Sequence, residues 1–377
     1  MRKRGICIMF LKKFSVDNYR NFSHKFEIDF SDVRDYTFSR QCISGKYIKD
    51  AIIYGKNAVG KTNFGFALFD ITYHLIDAMR YPTSAIAFSN ADTKSNEAIF
   101  SYTFGDGEQD IIYSYRKINP LQLSYEELSI GDTKVFSFDY QANNGDFENL
   151  GKYQLDTLNW EFRENGISLL RYMANNLSLP LSHPIMQIMQ FVSRMLWFRK
   201  TDQGNNFIGF TSSVEMTIDF IINNGLVNDF WKFLNECGVK ENIEAITQID
   251  GSKMLVFKHK ESVIPFNSMA SSGTQALLLI YYWSKKASSA SFIFIDEFDA
   301  FYHFKLSFDV CDVLFKQKCQ LFTSSHNTFL MTNDLLRPDC NFVLKDNKIT
   351  ALCDATDKEL REGHNIEKLY RGGAFDI

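Results

Sequence analysis

Residues Gly55, Lys56, Asn57, Ala58, Val59, Gly60, Lys61 and Thr62 read G-x-x-x-x-G-K-T, and they directly follow the apolar run Ala51-Ile52-Ile53-Tyr54. A buried strand feeding such a loop is the pattern of a phosphate loop. Glycines let the backbone curl closely around a phosphate, and successive N–H groups at a helix N-terminus point at the anion. Lys61 supplies charge and the Thr62 hydroxyl a ligand for Mg²⁺, with Asn63 beside it in the first helical turn. That helix is predicted from Phe64, Ala67, Leu68, Ile71 and Leu75, which recur at helical spacing. The expected ligand is ATP or GTP with Mg²⁺, and a chance glycine turn before a helix is the competing explanation.

Three later segments narrow the chemistry. Ser291-Phe292-Ile293-Phe294-Ile295-Asp296-Glu297 is an apolar strand ending in adjacent carboxylates. It reads as a Walker B strand in which Asp296 holds the Mg²⁺ shell and Glu297 orients or deprotonates the attacking water. A buried strand reaching solvent at an acidic turn is the bland alternative. Upstream, Ser271-Ser272-Gly273-Thr274-Gln275 precedes a helical run from Ala276 to Trp283. A serine and a glycine at a helix N-terminus form an anion site, although an ordinary helix cap has the same composition. Finally Gln320-Leu321-Phe322-Thr323-Ser324-Ser325 is an apolar strand that ends at His326. A lone histidine there could equally be a surface or capping residue.

The order of phosphate loop, S-S-G-T-Q, acidic strand and histidine resembles the ABC order of Walker A, signature, Walker B and switch histidine. The signature departs from L-S-G-G-Q at Ser271 and Thr274. More narrowly, the chain resembles the ABC-type ATPase head shared by SMC-like repair proteins, OLD-family proteins and the AAA-type ATPases of bacterial anti-phage loci. The resemblance rests on Asn18-Tyr19-Arg20-Asn21-Phe22 after the first strand, and on Asp296-Glu297-Phe298-Asp299-Ala300-Phe301-Tyr302-His303, which is similar to D-E-x-D-x-x-L-H. It rests also on Ser325-His326-Asn327-Thr328 and on the tail Glu367-Lys368-Leu369-Tyr370-Arg371-Gly372-Gly373-Ala374, which lacks the family's aromatic between Arg371 and Gly372. The resemblance implies a head-to-head homodimer with two ATP molecules sandwiched between subunits. In it Ser272 and Gly273 face the nucleotide of the opposite subunit, His326 senses the γ-phosphate, and Glu297 and His326 are catalytic. ATP is favoured over GTP on family likeness, no N-K-x-D guanine motif being present.

These parts need a scaffold, and the 377 residues suffice for a large core and two or three subdomains. The predicted fold class is α/β: a P-loop NTPase, an ABC-type head with an antiparallel β-subdomain and a helical insertion. Residues 1–138 are expected to carry the opening hairpin, the phosphate loop and the β-subdomain, residues 139–245 the insertion, and residues 246–377 the signature, Walker B and switch histidine on a parallel sheet. Antiparallel strands are predicted between Ala98 and Phe138 from the alternation in Phe100–Phe104 and Ile111–Tyr115, with turns at Gly105-Asp106-Gly107 and Gly131-Asp132. Helices are predicted over Ile167–Asn176, His183–Trp197 and Thr217–Cys237.

Composition excludes some roles. No apolar run is long enough to span a bilayer, and the short stretch after Arg2-Lys3-Arg4 lacks a cleavage site, so a cytoplasmic protein without a membrane partner is expected. A start at Met9 fits the first strand. The seven cysteines, at Cys7, Cys42, Cys237, Cys311, Cys319, Cys340 and Cys353, form no C-x-x-C pair and read as reduced, buried thiols. A net charge of −4 gives no global attraction for nucleic acid, so any DNA contact is local or comes through a partner. No sustained heptads separate the phosphate loop from the signature, which argues against a long-armed chromosome tether. The chain stops at Ile377 soon after Gly372-Gly373, so no nuclease domain of its own is expected. These features predict a sensor or regulatory ATPase of an anti-phage system acting with a separately encoded effector, a nuclease or a toxin. The alternatives are a repair ATPase clamping DNA ends, and a nucleotide-gated scaffold with negligible turnover.

Overall fold

Asp50–Tyr54 is buried at every position and runs parallel to Gln320–Ser325 on one side and Asn341–Lys345 on the other. A strand flanked by parallel neighbours and covered on both faces has no solvent side, which is why its sequence shows no polar alternation. The computed structural model describes residues 9–78, 87–105, 109–158, 167–201, 204–210 and 217–375. The central sheet has seven strands in the order Gly204–Gly209, Met195–Thr201, Phe292–Ile295, Gln320–Ser325, Asp50–Tyr54, Asn341–Lys345 and Lys348–Ala351. The inner five are parallel, and the two edge strands pair antiparallel to their neighbours.

A second seven-stranded sheet is antiparallel and contains Phe10–Asp17 paired with Phe26–Asp29, the opening hairpin. It continues through Ala98–Gly105, Asp110–Asn119, Gln122–Ile130 and Thr133–Asp139, where alternation had pointed to antiparallel strands. The turn at Gly131-Asp132 is present, with Gly131 at φ 55°, whereas Asp106 and Gly107 of the other expected turn lie outside the described residues, as do residues 1–8. Between the sheets lies the phosphate-loop helix Lys61–Leu75, buried on nearly all sides. Phe64 meets Phe14 of one sheet and Phe294 of the other, so the helix is clamped by aromatic contacts from both layers. Asp70 on this helix pairs with Lys117 of the antiparallel sheet at 2.6 Å, and both side chains are essentially solvent-free.

The middle of the chain differs from the expectation of a helical insertion. Helix Leu169–Asn176 forms, capped by Ser168, and the buried carboxylate of Glu126 accepts from the N–H groups of Leu169 (2.7 Å) and Leu170 (3.1 Å). The helix predicted over His183–Trp197 ends at Ser193, and Met195–Thr201 is a strand of the central sheet. Met195, Leu196, Trp197 and Phe198 are all buried, and a contiguous apolar run satisfies a buried parallel strand as well as a helix. The helix predicted over Thr217–Cys237 is two, Thr217–Asn223 and Val227–Glu236, broken at Gly225, whose φ of 66° no right-handed helix accepts. The central sheet therefore takes strands from each of the three stretches 1–138, 139–245 and 246–377. Among the described residues no helix is long and apolar enough to cross a membrane.

Candidate active site

Four neighbouring parallel strands end on the same side of the central sheet, and the register decides what their ends present. Phe198 pairs with Ile295, Ile295 with Thr323, and Ser325 with Tyr54. The next residues along these strands are Arg199, Asp296, His326 and the phosphate loop. Ligands of open parallel sheets bind beyond such carboxyl ends, where the loops diverge.

The loop itself is shaped by close approaches. Gly60 sits at φ 108°, and a Cβ there would lie 2.3 Å from Asn21 Nδ2; at Gly55 it would meet the Leu344 carbonyl at 2.7 Å. Asn21 donates to the Val59 carbonyl (3.3 Å) and to Asn347 Oδ1 (3.0 Å), and accepts from Asn63 Nδ2 (2.7 Å). Arg20 donates to Asn63 Oδ1 at 3.1 Å. The N-terminal Arg20-Asn21 pair thus braces the loop and the first helical turn.

Lys61 donates to the carbonyls of Gly55 (2.7 Å) and Lys56 (3.1 Å), so its ammonium rests on the loop it closes. Desolvation holds its pKa below the ordinary lysine value, against the pull of Asp296 and Glu297. Thr62 Oγ1 donates to Asp296 Oδ2 at 2.8 Å, which joins the start of the helix to the end of the acidic strand. Ser324 Oγ donates to Asp296 Oδ1 (2.6 Å) and accepts from the Glu297 N–H (2.8 Å). Its neighbour repeats the arrangement: Ser325 Oγ donates to Asp299 Oδ2 (2.6 Å) and accepts from the Asn327 N–H (2.8 Å). Two adjacent serines therefore tie the end of strand Gln320–Ser325 to the acidic turn. Glu297 adopts φ 48°, a left-handed conformation that costs a non-glycine residue roughly 1–3 kcal/mol and that recurs at functional turns. Burial raises the pKa of Asp296 above the usual carboxylate value, with the Ser324 hydrogen bond opposing the rise, and burial does the same to Asp299.

His326 lies with Nε2 3.0 Å from Lys61 Nζ. Desolvation first, and the lysine's charge second, hold its imidazole below the ordinary value of 6.5. A cavity of about 440 Å³ is lined by Asn57, Ala58, Gly60, Lys61, Thr62 and Asn63 together with Glu297 and His326. The geometry suits a triphosphate with Mg²⁺: a loop too tight for side chains at its glycines, a lysine at its floor, and a hydroxyl beside a carboxylate as hard oxygen ligands.

Ser272 and Gly273 stand apart from this cavity. They open helix Ser272–Lys286, capped by Ser271, which accepts from the Thr274 N–H at 3.2 Å. Gly273 is crowded only by the Phe301 carbonyl, 3.0 Å from where its Cβ would be. In the tail, Arg371 pairs with Glu367 at 3.2 Å on an exposed helix face.

Sequence reasoning missed Arg199. Its Nη2 pairs with Glu297 Oε2, and its Nη1 lies 3.3 Å from Asp296 Oδ2 and 3.5 Å from Thr62 Oγ1. The signal was an apolar run ending in Arg199-Lys200, hidden once that run was read as helix. Ser324 and Asn21 were quoted for their motifs, but nothing local revealed their bonds.

Fold and site together define an α/β P-loop ATPase head of the ABC type. The chain belongs to the family described as "AAA domain, putative AbiEii toxin, Type IV TA system", whose model matches residues 51–332. No curated protein sequence matches it. Among solved structures, the Smc head with an extended coiled coil bound to the C-terminal domain of ScpA, derived from Pyrococcus furiosus, is 13% identical with a TM-score of 0.47, covering 91% of this chain and 96% of that one. The SMC head domain from Thermotoga maritima is 13% identical with a TM-score of 0.43, over 90% and 97% of the two chains. The recombination mediator protein RecF of the RecFOR pathway is 13% identical with a TM-score of 0.41, over 91% and 98%.

Proposed function

We propose that this protein is an ATP-hydrolysing switch ATPase, the sensor or regulatory subunit of a bacterial anti-phage system that acts through a separately encoded nuclease or toxin. The observation that carries the ATPase reading is the 2.8 Å contact between Thr62 and Asp296, beside a cavity that Lys61, Glu297 and His326 also line. Lys61 and the loop N–H groups bind phosphate, and Thr62 and Asp296 would hold Mg²⁺, whose charge would neutralise the phosphates. Glu297 orients and deprotonates water, and His326 donates a ring N–H to the terminal phosphate, the tautomer deciding which nitrogen carries it.

Neither Ser272 nor Gly273 lines the cavity on its own subunit, which supports a second copy of the chain completing the site. ATP then closes a homodimer and hydrolysis opens it, a change whose free energy can be spent on a partner. The family's description, which names a putative AbiEii toxin and a Type IV TA system, supports action alongside a second encoded component.

Phosphate release by the purified protein with Mg-ATP, compared with Glu297→Gln, tests the enzymatic reading. Turnover in the native protein and its loss in a variant that still binds ATP is the expected result; equal turnover removes Glu297 from its role. Native mass spectrometry of the protein from its own host, with and without Mg-ATP, tests the partner. A stoichiometric second protein is expected, and a bare dimer with only DNA or nucleotide counts against the effector.

A further inference from the structure

We infer that Arg199 is a positioning residue that occupies the place of the divalent cation and restrains Glu297 until Mg-nucleotide displaces it. The inference rests on the phosphate-loop reading above and goes beyond it. Its guanidinium bridges the two carboxylates, with Nη2 on Glu297 Oε2 and Nη1 3.3 Å from Asp296 Oδ2. That Asp296 oxygen is the one that accepts from Thr62 Oγ1 at 2.8 Å, and Nη1 is 3.5 Å from the same hydroxyl. A cation bound by Thr62 and Asp296 would have to share these oxygens with the guanidinium, and two cations at such separation repel strongly in a partly buried site.

The charges also pair across strands: Arg199 contacts both Asp296 and Glu297, while Lys61 lies in the field of those two carboxylates and of Asp299. Asp296 is wholly buried, so its carboxylate needs a charged partner, and Arg199 supplies one from the next strand. The Arg199 side chain keeps 28% of its exposure, at the strand's C-terminal end. It can therefore leave the carboxylates by side-chain rotation alone, toward the phosphates that arrive with the metal. In the resting arrangement Glu297 is engaged by a guanidinium and is not free to accept a proton from water.

The test uses the full-length protein, Mn²⁺ as the spectroscopic probe and adenylyl-imidodiphosphate as a nucleotide that is not hydrolysed. Free Mn²⁺ is followed by electron paramagnetic resonance for the native protein and for Arg199→Ala, Arg199→Gln and Arg199→Lys. If the guanidinium competes through its charge, the alanine and glutamine variants reach half-saturation at about tenfold lower Mn²⁺, while lysine stays within about threefold of native. Unchanged or weaker Mn²⁺ binding in both neutral variants overturns the inference while leaving the phosphate loop intact. Absence of Mn²⁺-nucleotide binding in the native protein overturns the phosphate-loop reading itself, and the inference with it.

Discussion

Lys61 Nζ and His326 Nε2 face each other at 3.0 Å across the mouth of the phosphate loop. Both groups can be cationic, and their contact is tolerable because the imidazole stays neutral, held below 6.5 by desolvation and by the lysine. In the function proposed above, an incoming γ-phosphate would give both a common anion.

A pH dependence follows from that shift. Well above 6.5 the imidazole is neutral in folded and unfolded chains alike, so it contributes nothing to the slope there. As pH falls through 6.5 the unfolded chain protonates first, so folded stability is lost on acidification until the folded-state pKa is passed. Thermal melting of the nucleotide-free protein between about pH 7.5 and 5.5 should show a steeper acid loss than His326→Gln. Salt should shrink only the part of the difference that comes from the Lys61 charge, because screening does not act on desolvation. Parallel slopes for the two proteins would show that His326 is not held below its ordinary value in the folded chain.

Lys61→Ala removes the ammonium that closes the loop on the Gly55 carbonyl. A charge-assisted contact to phosphate is worth about 1.5–3 kcal/mol, so ATP affinity should fall roughly 10- to 150-fold. Isothermal titration calorimetry reads this directly, and an unchanged dissociation constant would sink the assignment of the loop.

Asn21 predicts an effect from outside the loop. Its amide joins Val59 and Asn63 of the phosphate-loop segment to Asn347, two segments remote from it and from each other in sequence. Asn21→Ala should cost about 1–2 kcal/mol of stability by chemical denaturation and weaken nucleotide binding in the same direction. Loss of stability with native affinity would make Asn21 a structural brace alone.

The Asp70–Lys117 pair allows a test of how the loop helix is anchored. With both side chains at most 1% exposed, Lys117→Met leaves Asp70 charged and solvent-free, which should cost about 3–5 kcal/mol. The double variant Asp70→Asn, Lys117→Met should recover most of that loss. Equal destabilisation by the single and double changes would show that the other partners of Asp70, including Tyr115 at 2.9 Å, carry the anchoring.

The chemistry-bearing segments were legible because each is local. A phosphate loop is eight consecutive residues whose backbone conformation makes the anion site, and the acidic strand and the histidine strand each announce themselves by an apolar run and its terminus. Alternation exposed the antiparallel strands Ala98–Gly105 and Asp110–Asn119 for the same reason: their period is written residue by residue. Tertiary structure alone decided which ends meet. Sheet order set Gln320–Ser325 between the loop strand and the acidic strand, so Ser324 could bond both Asp296 and the Glu297 N–H. Strand register then placed Arg199 beside Asp296, after an apolar run that periodicity could not tell from helix. Side-chain contacts across more than ninety residues depend on packing of the whole sheet, and no local pattern encodes them.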